Sequence, residues 1–216
     1  MKEPIPLEAL GRARDFIRRA KAECTQCEEL FAQLWQPITA RVGRHPGRNV
    51  RPEHVTTFVR EWQTMPCRFR LHLGMTRTKL VRVEVFEIRV SATKLRRDDW
   101  PNGEDGESNL AIVNVVVVVG RDGQKYATPI STVVSHVVSL HALARRYQRC
   151  TAWDDADVLR DLSCLMQVQP LARPDSVPCT ISTEFGEWRG EHVSLEGTTY
   201  ALAPVVAVRT WISKDQ

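Results

Sequence analysis

Between Pro6 and Gln36 the apolar positions are Leu7, Leu10, Phe16, Ile17, Ala20, Cys24, Cys27, Leu30, Phe31 and Leu34, with Arg, Lys and Glu between them. Steps of three and four put these residues on one face of a helix, so the pattern predicts a single long helix over residues 6–36. Pro37 marks its expected end, because proline has no N–H to carry the ladder onward. The stretch RVGRHPGRNVR, residues 41–51, holds four arginines, two glycines and a proline and is expected to be a loop. A short second helix is expected from Pro52 to about Gln63, with the proline in its first turn and Glu53 near the positive helix start.

From Arg68 the period falls to two. RFRLHL (68–73) alternates strictly, and LVRVEVFEIRVSATKL (80–95) alternates through Val81, Val83 and Val85 before changing phase at Ile88 and Val90. That change of phase predicts a bulge near Phe86 and Glu87. The polar, turn-rich RRDDWPNGEDGESN (96–109) is expected to be a mobile loop. LAIVNVVVVV (110–119) is apolar and β-branched, as suits a central strand covered on both faces. GRDGQ then turns the chain into KYATPI, a β-hairpin.

A helix is expected over Ser131–Arg149. A second follows the helix-start spacing at Thr151–Asp154 and runs to about Met166, with Val158, Leu159, Leu162 and Leu165 inward. Past the linker LARPDSVP, the tail reads as the strands CTISTEF, EHVSL, TTYAL and VVAVRTWI. N-terminal helices, strands, a central helix pair and C-terminal strands predict an α+β fold with a mainly antiparallel β-sheet. Residues 1–100 (N-terminal, helical and stranded, basic) and 108–216 (C-terminal, α+β) are the candidate domains, with one single domain as the alternative.

Composition adds little to the fold but narrows the function. The longest apolar runs fall well short of the roughly 20 residues that span a bilayer, so no membrane partner is expected. The polar N-terminus MKEPIPLEALGRARDF has no signal-peptide core, which points to a cytoplasmic protein. The six cysteines are then expected as thiols. Cys24-x-x-Cys27 has metal-ligand spacing, but no second pair follows, and both cysteines fall in step with the apolar helix face, so core packing is the better reading. No metal and no cofactor are expected. Dinucleotide, phosphate-loop, serine-hydrolase and zinc-protease motifs are all missing from the sequence.

The net charge of +4 conceals an asymmetry. Residues 1–102 carry 20 Lys/Arg against 12 Asp/Glu, a balance of +8, whereas residues 103–216 carry 10 against 14, a balance of −4. The first half can therefore attract a polyanion. Arg41, Arg44, Arg48 and Arg51 of the loop, with Lys79, Arg82 and Arg89 on a strand face, are the candidate nucleic-acid-binding residues, able to track a phosphate backbone. The opposing reading pairs the strand arginines with Glu84 and Glu87 across the sheet.

The segment SLHALARRYQRC (139–150) holds the candidate chemistry. On a helix, His141, Arg145 and Arg149 stand at i, i+4 and i+8 and share one polar stripe, opposite Val133, Val137, Leu140, Ala144 and Tyr147. Imidazole can move a proton near neutral pH, and paired guanidinium groups can clamp a phosphate and stabilise a pentavalent transition state. A ribose 2′-hydroxyl as nucleophile would make a metal unnecessary. The structural alternative is that these arginines pair with Asp154, Asp155, Asp157 or Asp161 of the following helix.

HALARRYQR, followed by DVLRDL at 157–162 and by VRTW at 208–211, resembles the H-A-L-x-R-x-x-x-R, D-V-L-x-x-L and closing-strand pattern of small bacterial toxin-like domains of the RelE and barnase type, which are metal-independent ribonucleases. The resemblance covers residues 135–212. It implies His141 as acid/base, Arg145 and Arg149 as the phosphate clamp, and Thr210 or Arg209 as auxiliary groups. It departs in length, since those domains usually stand alone and here some 130 residues come first. Two function classes are thus open: a protein acting on RNA or other nucleic acid, by binding or by cleavage, and a non-catalytic interaction subunit of a bacterial or phage-encoded assembly with a partner protein.

Overall fold

The structure is a computed structural model that describes residues 4–42, 60–61, 70–77, 80–91, 109–120, 130–171, 177–194 and 204–214. Among these the elements are α1 (Leu7–Val42), β1 (Arg70–Arg77), β2 (Leu80–Ser91), β3 (Asn109–Gly120), β4 (Ile130–Val138), α2 (Leu140–Arg149), α3 (Asp155–Ser163), a 3-10 turn (Cys164–Gln167), β5 (Val177–Ser182), β6 (Gly186–Ser194) and β7 (Pro204–Ser213). The fold is α+β, as the element pattern predicts. The chain divides into two units that each draw on several stretches of sequence: residues 1–21, 88–113 and 134–216 form the first, and residues 22–87 and 114–133 the second.

In the first unit, β4 pairs with β7, β7 with β6, and β6 with β5. The β4–β7 pairing is parallel, with His136, Val137 and Val138 opposite Val206, Ala207 and Val208. The other two pairings are antiparallel. Ile181, Trp188 and Trp211 align across β5, β6 and β7 on the face that α2 and α3 cover. Trp188 and Trp211 are fully buried, with ring centroids 6.5 Å apart in an edge-on arrangement. Leu143 of α2 and Val158 and Leu162 of α3 are likewise sealed from solvent. The opposite face carries Pro178, Thr180, Ser182, Glu187 and Arg189, which is the alternation of a sheet wetted on one side.

β7 has one additional residue at Arg209, so the register moves from Arg189↔Thr210 to Gly190↔Val208. At Gly190 the backbones come so close that a Cβ would lie 2.4 Å from the Ala207 carbonyl oxygen. In the first part of α1, Ala9, Ala13, Phe16, Ile17 and Ala20 form the buried stripe. Leu7, expected on that stripe, opens the helix and is 84% exposed.

In the second unit, β1 and β2 form an antiparallel pair. The pairing slips where Arg70 faces Glu87 and His72 faces Phe86. The irregularity expected near Phe86 and Glu87 is therefore present, but the extra residue, Leu71, belongs to β1.

Three expectations need correction. First, α1 runs past Pro37 to Val42. A proline removes one N–H donor, and the residues beyond it carry their own, so five more positions stay helical and Arg41 and Val42 close the helix instead of opening a loop. Second, the single helix expected over Ser131–Arg149 is two elements: β4 to Val138, then α2 from Leu140. Valines at 133, 134, 137 and 138 favour the extended backbone, where a branched Cβ packs without crowding a preceding turn. Ser139 switches the period, its Oγ accepting from Ala142 N at 3.1 Å. Third, the strand expected as CTISTEF ends at Ser182, and the one expected as EHVSL starts five residues earlier, at Gly186. The turn is confined to Thr183–Gly186, where Thr183 Oγ1 accepts from the Phe185 and Gly186 amides, and Trp188 already lies in β6. The 96–109 loop (apart from Asn109), the strand TTYAL and most of the helix expected over 52–63 lie outside the described residues; Arg60 and Glu61 of that segment are helical.

Candidate functional site

Ser139 as N-cap fixes where α2 starts and hence where each of its side chains points. His141 is the second residue of the helix and is exposed. One turn on, Arg145 is only 6% exposed, and its Nη1 donates to Gln148 Oε1 at 2.8 Å. Arg149, at the end of α2, is half-buried and donates from Nη1 to the Trp211 carbonyl oxygen at 3.1 Å. The sequence stripe thus runs from solvent at His141 into the protein at Arg145 and onto the β7 backbone at Arg149.

Thr210 belongs elsewhere. It is paired with Arg189, on the sheet face opposite Trp188 and Trp211, because neighbours along a strand point to opposite sides. The helices cover the tryptophan face: Trp188 Nε1 donates to the Asp161 carbonyl oxygen at 3.0 Å, and Asp161 is paired with Arg146. The sheet therefore separates Thr210 from α2. Arg209 pairs with Glu191 of β6.

Sequence reasoning passed over Arg146, which lies between the two arginines of the stripe. It is fully buried. Its Nε donates to Asp161 Oδ2 at 2.7 Å, its Nη1 donates to the Ala152 carbonyl oxygen at 2.7 Å, and its guanidinium carbon lies 5.9 Å from the centre of the Phe185 ring. The signal was available in Asp161, which follows Leu159 and Arg160 on a helix whose Val158 and Leu162 point inward. Of the aspartates expected to pair with arginines of this helix, Asp161 does so, with Arg146. Tyr147, one residue further, is buried, and burial pushes its phenol up to about 12.

The start of α1 is tied to the same region. Arg19 pairs through both terminal nitrogens with the carboxylate of Asp155, and that contact raises its pKa further. Arg12 stacks on the ring of Trp153 at 4.3 Å. Trp153 remains 45% exposed, whereas Trp188 and Trp211 are core residues. Among the cysteines whose side chains are described, Cys150, Cys164 and Cys179 are free thiols, and burial pushes those of Cys164 and Cys179 up. No metal-holding group of His, Cys, Asp and Glu occurs among the described residues. None of their helices is long and apolar enough to cross a membrane.

The side chains of Arg41, Arg82 and Arg89, and the whole of Arg44, Arg48, Arg51 and Lys79, lie outside the described residues. The backbone puts Arg41 in the last turn of α1 and Arg82 and Arg89 on β2. The chain matches no family model, no curated protein and no solved structure.

Proposed function

We propose that this protein is a non-catalytic, nucleic-acid-binding component of a larger assembly, with the arginines of α2 serving its fold and the basic residues 1–102 meeting the polyanion. The observation that carries the reading is the commitment of the α2 guanidinium groups. Arg146 is sealed against Asp161, Arg149 reaches the Trp211 carbonyl, and Arg145 is buried beside Gln148. A phosphate clamp needs forked donors facing the ligand in water. The balance of +8 in residues 1–102 supports attraction of a polyanion by the other half of the sequence.

The RNA-cleaving alternative keeps one specific support, the exposure of His141 at the start of α2. It requires Arg145 and Arg149 to turn from their present partners toward a substrate, and it cannot draw on Thr210 from across the sheet.

Fluorescence anisotropy with labelled single-stranded RNA tests the reading. Affinity should fall linearly on a log–log plot against salt, with a slope of about −0.7 per phosphate neutralised. The quadruple variant R41Q/R44Q/R48Q/R51Q should flatten that slope, and the α2 variant R149Q should leave it unchanged. Incubation of the same RNA should give no cleavage that H141A abolishes. Absence of binding at low salt, or cleavage lost in H141A, would overturn the proposal.

A further inference from the structure

His136 of β4 and His192 of β6 are both set against Val206 of β7, so the two imidazoles stand on one face of the sheet with β7 between them. They are 1% and 6% exposed. Each holds the backbone of the same passing segment, the chain that follows the 3-10 turn. His136 Nε2 lies 3.0 Å from the Val168 carbonyl oxygen, and the Leu171 amide donates to His192 Nδ1 at 3.2 Å. Three residues apart in sequence, Val168 and Leu171 are thus pinned at two points by two side chains.

The polarity of these bonds fixes the charge state that makes them. Leu171 N–H can donate to His192 only while Nδ1 is bare, which means a neutral ring with its proton on Nε2. His136 donates from Nε2 to Val168 and, when neutral, accepts on Nδ1. Ser135 Oγ is 2.9 Å from that nitrogen and also 3.0 Å from the Ile112 carbonyl oxygen, so one hydroxyl proton faces two acceptors. A proton added to His192 sets a donor against the Leu171 amide. A proton added to His136 creates a buried cation whose neighbour is His192.

Among the described residues no carboxylate offsets such a charge, and the Val168 and Leu165 carbonyls, which favour it, do not outweigh burial. Glu191 adjoins His192 in sequence but points to the opposite sheet face and pairs with Arg209. Asp161 is committed to Arg146. Cys164 opens the 3-10 turn, and Cys179, registered with Gly190, shares the His192 face; both thiols are pushed up by burial and stay neutral in acid. Burial, assisted by repulsion from His192, holds the His136 ring down to about 4.

We propose that the segment Val168–Leu171 is a strap latched shut by two neutral imidazoles and opened by acid, ahead of unfolding of the sheet beneath it. Opening admits water to both rings and removes the donor clash at His192 and the burial of charge at His136 together. The inference stands on the strap geometry and is independent of the nucleic-acid reading above.

Hydrogen exchange of the full chain, read by mass spectrometry and corrected for intrinsic rates, tests it between about pH 7 and about pH 4. Protection of the strap peptides should fall at least about tenfold more than protection of β6 and α2. In the H136Q/H192Q variant, glutamine offers both an amide donor and a carbonyl acceptor without titrating, and the strap should stay protected across the range. Two results would overturn the proposal: loss of strap protection only in step with β6 and α2, or equal acid opening in the glutamine variant. If that variant does not fold, the wild-type comparison of strap with β6 and α2 decides alone.

Discussion

The Nε of Arg146 lies 2.7 Å from Oδ2 of Asp161, and neither side chain is more than 1% exposed. This pair joins α2 to α3 beneath the Phe185 ring, and the backbone of Asp161 receives the Trp188 indole. Its removal acts on the whole first unit, because either partner left alone is an uncompensated buried charge.

Arg146→Ala should therefore destabilise the protein by about 3–5 kcal/mol in urea unfolding. A joint replacement by Met at 146 and Leu at 161 should cost far less, since no charge is then buried. Equal losses for the single and the double variant would show that shape, and not charge, carries the contact.

His136 makes stability depend on pH. Its pKa is held at about 4 in the fold against an ordinary value of 6.5. Below pH 6.5 the unfolded chain takes up a proton that the folded chain refuses, so stability is fully present above 6.5 and falls as pH drops toward 4. The loss amounts to about 3 kcal/mol on the acid side of that window. His136→Gln should flatten this part of the curve in chemical denaturation measured at a series of pH values.

Ser139 ends β4 and caps α2. Ser139→Ala removes the bond to the Ala142 amide and should cost about 1 kcal/mol, with Ser139→Asp restoring most of it. Thermal denaturation of the two variants is the check. Equal losses would mean that the cap is dispensable.

Gly190→Ala should destabilise by about 1–3 kcal/mol, because its Cβ meets the Ala207 carbonyl oxygen at 2.4 Å and the Val208 Cα at 3.0 Å, both rigid backbone. His141→Ala, at an exposed position, should change stability by less than about 0.5 kcal/mol. Urea midpoints of the two variants give the contrast directly.

Elements whose two faces differ were legible in the sequence. The buried Val158 and Leu162 of α3, Leu165 of the turn after it and the strand around Ile181 follow from periodicity, and Val205–Val208 from an unbroken apolar, mostly β-branched run. β4 was not legible, because Val133, Val137 and Leu140 also satisfy helical spacing, and only the β-branching of the valines and the capping power of Ser139 tell the periods apart. At the candidate site, helical spacing set His141, Arg145 and Arg149 at successive turns, and all three lie on α2. It could not say how far α3 and β7 would close over them, and it passed over Arg146, whose burial depends on an aspartate 15 positions away. The placement of Thr210 depended on the additional residue at Arg209, a feature of strand register that no local pattern announces.

The order of strands in the first unit has a consequence for how the chain is made. β7 comes last in sequence among the described strands, yet it lies between β4 and β6 and hydrogen-bonds to both. Until a ribosome has released residue 213, two strand margins stand open and ready to pair with other chains. Loss of residues 204–213 would not trim this protein but split its sheet in two, and nascent or truncated chains are the forms in which a chaperone would be needed.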